Sequence, residues 1–300
     1  MRIKSVFAAP LLLIVVTILL AVSSLVDSSA IGESVSPYLA VIILQFLVYA
    51  IPGVFFCRLR GREYTRRLRL RPMRLNHLIL LLFALILMIS GCALLNLTVF
   101  TLFPQTAAVQ ALQNSSYGID LYTVLAFCIL PAITEEFLFR GIILAEYESV
   151  TPGFSACMTA LLFALIHLNF ARFPAYFFSG LILAAVLYAT RSLLAPMIVH
   201  GLNNIAALWM DSYMSRASDG SGEYSVLLVF ILLCVFFVSL ILFFMEAQRI
   251  YTDYGITDVP SPHVRRRKRG EPKGILEALI APPFVLYLLI CIIFSVVSFR

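Results

Sequence analysis

Two adjacent glutamates, Glu135 and Glu136, are followed by Arg140 within a long apolar stretch of this 300-residue chain. A charged group near the centre of a bilayer costs at least ~2.5–3.5 kcal/mol on insertion scales, so charges within membrane helices are rare and mostly functional. Glu136 and Arg140 are four residues apart with the acid first, which favours an ion pair on one helical face. Glu135 lies about 100° around the helix from Glu136 and has no local partner. A buried carboxylate of this kind favours a proton, a metal ion or a histidine as its partner.

Two later apolar stretches each contain one histidine. His167 follows Phe163 by four residues, and His200 precedes Asn204 by four residues on the same face of a helix. Imidazole and carboxylate groups within a membrane indicate proton chemistry or metal binding. A single buried histidine is usually structural, so His167 alone is a weak signal. His200 and Asn204 projecting together are a stronger one, although Asn204 could simply hydrogen-bond across helices.

The composition places these residues in a membrane protein. Hydrophobic residues make up 61% of the chain, charged residues only 13%, and the mean hydropathy is +0.98. Apolar stretches long enough to cross ~30 Å of hydrocarbon recur along the whole sequence. We therefore predict an all-α, polytopic membrane protein with about eight or nine transmembrane helices. The predicted spans are 6–26, 38–57, 77–103, 120–146, 153–169, 174–190, 193–211, 224–246 and 276–299.

The basic residues predict how these spans are oriented. Arginine and lysine are concentrated at the N-terminus and in the loops 58–76 and 247–274, which the positive-inside rule places in the cytoplasm. The segments 27–37 and 104–119 contain neither residue and are predicted to lie outside. We expect the basic loops to contact anionic lipid head groups, and no nucleic acid as a partner. The span 276–299 is the least regular, because Pro282 and Pro283 interrupt it and it could be re-entrant.

On this topology the three motif-bearing spans bring their polar residues to similar depths. At 1.5 Å rise per residue, Glu135, His167 and His200 lie roughly 18, 21 and 12 Å from the inner turns of their helices. Pro131 lacks a backbone N–H and can kink the helix beside Glu135, which could open a water-filled pocket. The sequence divides into N-terminal helices (1–119), a candidate catalytic core (120–211) and C-terminal helices (212–300).

The three motifs together resemble the CPBP family of intramembrane proteases, also called the CAAX-protease or Abi family. Its signature is E-E-x-x-x-R, then F-x-x-x-H, then H-x-x-x-N on successive membrane helices. The chain contains all three in that order, starting at Glu135, Phe163 and His200, and the resemblance covers roughly residues 120–210. It implies an endopeptidase in which Glu135 and His167 activate the attacking water. His200 and Asn204 would then bind the oxyanion or help to hold the site.

Two mechanisms fit this set of residue types. In one, a zinc ion bound by Glu135, His167 and His200 lowers the pKa of its water. In the other, Glu135 is a general base without a metal, and His200 with Asn204 stabilises the oxyanion. Asparagine is a poor zinc ligand, which favours the second. Glu136, Arg140 and Phe163 are expected to support the catalytic residues without touching substrate. The six cysteines show no C-x-x-C pair, so we predict neither a disulfide framework nor a cysteine metal site.

Other functions remain open at this point. A membrane scaffold, regulator or bacteriocin-immunity protein could have the same fold, and a proton-coupled transporter would also use buried acids and histidines, although no internal repeat supports it. The expected partner of an enzyme is a peptide or membrane-associated protein, cut at a site reached from the cytoplasmic leaflet. Aromatic residues between 170 and 177 could line its groove. In a bacterium the protein would lie in the plasma membrane.

Overall fold

The computed structural model of the protein describes residues 5–25, 37–103, 120–217, 226–256 and 272–298. Helices account for nearly all of these residues, and none of the described segments contains a strand. Numbered along the chain, the helices are α1 (Ser5–Leu25), α2 (37–60), α3 (Leu78–Leu102), α4 (Leu121–Tyr147), α5 (Pro152–Ile166), α6 (Phe173–Thr190), α7 (Leu194–Ala217), α8 (Val226–Ile256), α9 (Pro272–Leu279) and α10 (Pro282–Ser298). The prediction of an all-α protein is confirmed.

Six of these helices are long and apolar enough to cross a membrane: α1, α2, α3, α4, α6 and α8. Three shorter apolar helices, Pro152–Ile166, Leu194–Met210 and Pro282–Ser295, correspond to the other predicted spans. The chain is therefore a polytopic integral membrane protein. Its orientation relative to the cytoplasm remains a prediction from the basic loops.

The predicted span ends differ most from the structure in the last third of the chain. α8 continues to Ile256, well beyond the predicted end at 246, and Arg249 forms ion pairs along it with Glu246 and Asp253. The predicted last span is two helices, α9 and α10, and the second begins at Pro282. Proline has no backbone N–H and clashes with the preceding helical turn, so a new helix starts there.

Two large clusters of buried side chains, and a small third one around Leu187, hold the helices together. The first joins α1, α2, α4, α5 and α10, and Leu138, Phe139 and Ile142 of α4 are fully buried in it. The second joins α3, α6, α7 and α8 around residues such as Leu87 and Val186. Because α4 also packs against α7, and α5 against α6, the helices that carry the three motifs meet between the two clusters.

α4 departs from α-helical geometry on both sides of its two glutamates. Wider π-helical turns cover Val124–Ile129 and Phe137–Ile143. The disturbance expected at Pro131 takes the form of the first of these turns, immediately before the proline. π-Helical turns within α-helices are often found at functional sites, because they change the direction in which neighbouring side chains point.

The arginine-rich loop after α2 is docked on the C-terminal end of α4. Arg60 pairs with the buried Glu146, and Arg69 pairs with Glu148 at 2.6 Å. Cationic side chains at a helix C-terminus are favoured by the helix dipole. Part of the arginine cluster thus stabilises the end of α4, and binding of lipid head groups by this loop remains a prediction.

Candidate active site

Glu136 is fully buried and binds two partners through one oxygen. Its Oε1 accepts a hydrogen bond from Nη1 of Arg140 at 2.7 Å and lies 2.8 Å from Nδ1 of His200. Since a carboxylate only accepts, the hydrogen of neutral His200 is on Nδ1, which leaves Nε2 as an acceptor. That Nε2 atom lies 3.9 Å from Oε2 of Glu135. The Glu136–Arg140 pair agrees with the helical spacing in the sequence, whereas the contact between Glu136 and His200 had no local signal.

Arg140 connects three helices from its buried position on α4. Besides Glu136, its guanidinium donates from Nη2 to the carbonyl oxygen of Gly180 on α6 at 3.1 Å. It also lies over the ring of Phe163 on α5, 4.6 Å from the ring centroid. A Cβ atom at Gly180 would lie 2.8 Å from Cα of Ala160, so the glycine permits the close approach of α5 and α6. Small residues have this role at many membrane helix interfaces.

His167 lies directly after the last residue of α5. Its Nδ1 atom is 2.7 Å from the carbonyl oxygen of Phe163, and a carbonyl only accepts, so Nδ1 carries the hydrogen. The ring stacks on Tyr176 of α6 with centroids 3.9 Å apart. The next residue, Leu168, has a left-handed backbone with φ +50°, so α5 ends earlier than the predicted 169.

The ring of Phe163 fills the space between these groups. Its centroid is 4.8 Å from that of His167 and 5.7 Å from that of His200, with both imidazoles edge-on to it. Phe139 packs against it from α4 at 5.2 Å. One aromatic ring therefore contacts both imidazoles and the Arg140 guanidinium.

Asn204 is the least tightly held of the predicted site residues. Its Nδ2 donates to the carbonyl oxygen of Cys128 at 3.4 Å, within the first π-helical turn of α4. This contact joins α7 to α4, as expected of a cross-helix hydrogen bond. A carboxamide nitrogen carries two hydrogens, so the second remains for another acceptor.

Glu135, His167, His200 and Asn204 all line one cavity of about 380 Å³. The other lining residues are Gln45, Met88, Cys92, Asn96, Phe127, Cys128, Pro131, Phe163, Arg172, Ala175, Tyr176, Ser179, Asn203, Ala207 and Leu208. Of the aromatic residues expected between 170 and 177, only Tyr176 is among them. A larger groove between α1 and α2 is apolar and is lined by none of the predicted site residues.

The cavity extends in one direction from Glu135. On α4 its lining continues toward the N-terminus, and on α7 it continues from His200 toward the C-terminus. On α6 it uses the first two turns. All these helix ends lie away from the arginine-rich loop that follows α2. On the predicted topology this lining lies on the non-cytoplasmic side of Glu135, whereas the sequence analysis expected access from the cytoplasmic leaflet, so the side of entry stays a prediction.

The predicted zinc ligands are Glu135, His167 and His200. The Nδ1–H of His200 is donated to Glu136, and the Nδ1–H of His167 is donated to a backbone carbonyl. Both Nε2 atoms are therefore acceptors, as metal-binding histidines require. The spacing does not fit, because no three His, Cys, Asp or Glu side chains in the described segments are close enough to share a metal ion. We therefore derive no catalytic step through zinc.

Comparison with known proteins identifies the same core. The family model for type II CAAX prenyl endopeptidases, Rce1-like, matches residues 117–206. This match supports the resemblance of the motif-bearing core to the CPBP family. A membrane-embedded CAAX protease, MroQ of Staphylococcus aureus (strain USA300), is 31% identical over 83 residues, which is 25% of this chain and 34% of that protein. The chain thus matches about a third of the length of this curated relative. No solved structure matches the chain.

The comparison covers the motif-bearing helices of the CPBP core and leaves most of the flanking helices without a counterpart. It supports membership of an intramembrane protease family and does not test the role of any single residue. The contribution of α2 and α3 to the cavity, through Gln45 and Asn96, lies outside the matched stretch and can be read only from the structure.

Proposed function

We propose that this protein is an intramembrane endopeptidase that hydrolyses a peptide bond in a peptide or membrane-associated substrate. The observation that carries the proposal is the 3.9 Å separation of Glu135 Oε2 and His200 Nε2 in the wall of the cavity. A water molecule that hydrogen-bonds to both atoms at ~2.8 Å fits across this gap. His200 is held in the required tautomer by Glu136, so the water has an acceptor on each side.

In this mechanism Glu135 is the general base. The water oxygen attacks the carbonyl carbon of the substrate while one water proton passes to the Glu135 carboxylate, a type of step that contributes about 10²–10⁴-fold in rate. The free hydrogen of Asn204 Nδ2 is donated to the carbonyl oxygen as it becomes negative. When the tetrahedral intermediate breaks, Glu135 gives the proton to the leaving nitrogen. Atoms and charges therefore balance without a further reactant.

In this mechanism His200 binds the attacking water, whereas one role implied by the family resemblance was to bind the oxyanion. Because its Nδ1–H is donated to Glu136, the Nε2 atom of the neutral ring can only accept a hydrogen bond. His167, whose Nδ1–H is donated to a backbone carbonyl, has the same property. Both imidazoles are thus suited to hold the attacking water, and Asn204 is the donor among the four.

The side of entry follows from the direction of the cavity. On the predicted topology we propose that the substrate reaches Glu135 from the non-cytoplasmic side of the membrane. In a bacterial cell that membrane would be the plasma membrane. Nothing in the site favours a non-catalytic scaffold or immunity protein, because Glu135, His167 and His200 are all present and line one cavity.

The test is cleavage of a quenched-fluorescent peptide library by the purified protein. Glu135→Gln is expected to lower the rate of cleavage by about 10²–10⁴-fold. Glu148→Gln is the matched control, because it changes a glutamate that pairs with Arg69 away from the cavity. The zinc chelator o-phenanthroline should leave cleavage unchanged, and loss of activity that added zinc restores would establish the metal mechanism instead. If the folded wild type cleaves no peptide, prenylated or not, the endopeptidase proposal is wrong.

A further inference from the structure

Besides Asn204, three carboxamide side chains from three different helices line the same cavity as Glu135. They are Gln45 of α2, Asn96 of α3 and Asn203 of α7. None of them belongs to the three sequence motifs, and Gln45 and Asn96 lie outside the matched residues 117–206. The proposed chemistry at Glu135 uses none of the three, so their presence in a largely apolar protein needs another explanation.

Gln45 is anchored beside the catalytic glutamate. Its Oε1 lies 3.1 Å from the hydroxyl of Thr134, the residue before Glu135, and shares the one hydrogen of that hydroxyl with the carbonyl oxygen of Leu130 at 3.0 Å. One end of the carboxamide is thereby fixed, and its other end is available to the cavity. Gln45 is also the last residue before a π-helical turn in α2, Phe46–Ala50, and such turns are often found at functional sites.

Asn96 and Asn203 differ from Gln45 in that their carboxamides are not anchored. Within the described segments of the chain, neither side chain makes a hydrogen bond to another residue. Each carboxamide offers two donor hydrogens and one acceptor oxygen. Polar groups in a membrane protein are costly unless they find a partner, so these two favour a polar occupant of the cavity.

We infer that Gln45, Asn96 and Asn203 bind the backbone of the substrate peptide in an extended conformation. The inference rests on the proposed function and adds what the site recognises. A peptide bond within a membrane helix is exposed to attack only when that helix unwinds, and unwinding leaves backbone N–H and C=O groups without partners in the membrane. A carboxamide has the same donor and acceptor groups as a peptide bond, so three carboxamides can replace the lost hydrogen bonds.

The substrate class follows from this chemistry. Carboxamides bind the backbone and are neutral, so they select an unwound segment and not particular side chains. Next to the scissile bond we therefore expect tolerance of many side chains, provided that the backbone N–H and C=O groups are free to bind. A segment that stays helical, or one with blocked backbone amides, should be a poor substrate.

The experiment uses the full-length protein and peptides in which one backbone amide at a time is replaced by an ester, which removes one N–H donor. Binding to the Glu135→Gln variant is measured by fluorescence anisotropy, so the readout does not depend on cleavage. At one or more positions near the scissile bond the ester should weaken binding about tenfold, the size expected for a hydrogen bond worth ~1.4 kcal/mol. The same ester should have little further effect once Gln45→Met, Asn96→Leu or Asn203→Leu has removed its partner.

The control variant is Gln248→Leu, which removes an exposed carboxamide of α8 that does not line the cavity. Each comparison of ester with amide is made within one variant, so a change in stability does not affect it. Equal ester effects in wild-type and variant cavities would overturn the inference. If binding depends on the carboxamides but the protein cleaves no peptide, the inference stands and the endopeptidase proposal is wrong.

Discussion

Glu136→Gln should lower the free energy of unfolding, whereas Glu135→Gln should not. Glu136 is fully buried with Arg140 at 2.7 Å and His200 at 2.8 Å. Glu136→Gln removes the charge that neutralises buried Arg140, and breaking a buried ion pair in this way costs ~3–5 kcal/mol. Among the described residues Glu135 makes no hydrogen bond, and its ion-pair contact is with His200 at 3.9 Å. Glu135→Gln should therefore leave stability unchanged or slightly increased.

Catalysis alone does not separate the two variants, because both should be impaired. Glu135→Gln removes the general base and is expected to lower kcat by about 10²–10⁴-fold. Glu136→Gln also lowers kcat, because His200 loses the acceptor that fixes its tautomer. The measurement that separates them is thermal unfolding of the purified protein in detergent. A loss of ~3–5 kcal/mol corresponds to a fall in Tm on the order of 10 °C for a chain of this size.

The result that would refute this reasoning is a reversal of the two stabilities. If Glu135→Gln unfolded well below the wild type and Glu136→Gln did not, then Glu135 would be the structural residue and the roles would have to be exchanged. Glu136→Asp serves as a control, because it keeps the charge and shortens the side chain. It should be more stable than Glu136→Gln.

Three further predictions concern access, packing and pH. A membrane-impermeant quenched peptide should be cleaved when added outside right-side-out vesicles and not outside inverted ones; the opposite result would place the cavity opening in the cytoplasm. Gly180→Ala should lower the Tm and the activity, because its Cβ would lie 2.8 Å from Cα of Ala160, whereas Gly153→Ala on the same hairpin meets nothing within 4 Å and should have little effect. Asp120 caps α4 by accepting a hydrogen bond from the backbone N–H of Thr123 at 2.6 Å, which lowers the pKa of its carboxyl group. A lowered pKa contributes stability above the unfolded pKa of ~4 that is lost as the pH falls through the folded value, so Asp120→Asn should reduce the loss of Tm between neutral and acidic pH.

The parts of the site that the sequence predicted are those set by helical spacing. Glu136 meets Arg140 because the two are four residues apart, and the same spacing brings the ring of His167 to that of Phe163. The number of apolar spans followed from length and hydropathy for the same reason, since each span can be recognised without its neighbours. These features depend on local geometry, which a sequence contains.

The parts that could not be predicted depend on how distant helices pack. Glu136 meets His200, Arg140 meets the carbonyl oxygen of Gly180, and Gln45 meets Thr134 across separations of 40 residues or more. Hydropathy gives no signal for which face of α2 turns toward α4. The direction in which the cavity extends could not be predicted from the sequence either. It depends on how several helices pack at their ends, and the depth of a single residue in the membrane does not reveal it.

The adjacency of the two glutamates is itself a consequence of this geometry. Neighbouring residues on a helix point about 100° apart, so one short segment can direct one carboxylate into the cavity and the other into the protein. Burial of Glu136 is offset by Arg140, and both are almost completely buried. Among the described residues Glu135 forms no such ion pair with a lysine or arginine, and its contact with His200, at 3.9 Å, is too long to offset the cost of placing it in the membrane. A glutamate that lowers the stability of the fold and lines a cavity with two imidazoles is best explained by a chemical role. A variant Glu135→Gln that is as stable as the wild type, or more stable, would therefore support that role as directly as a loss of activity would.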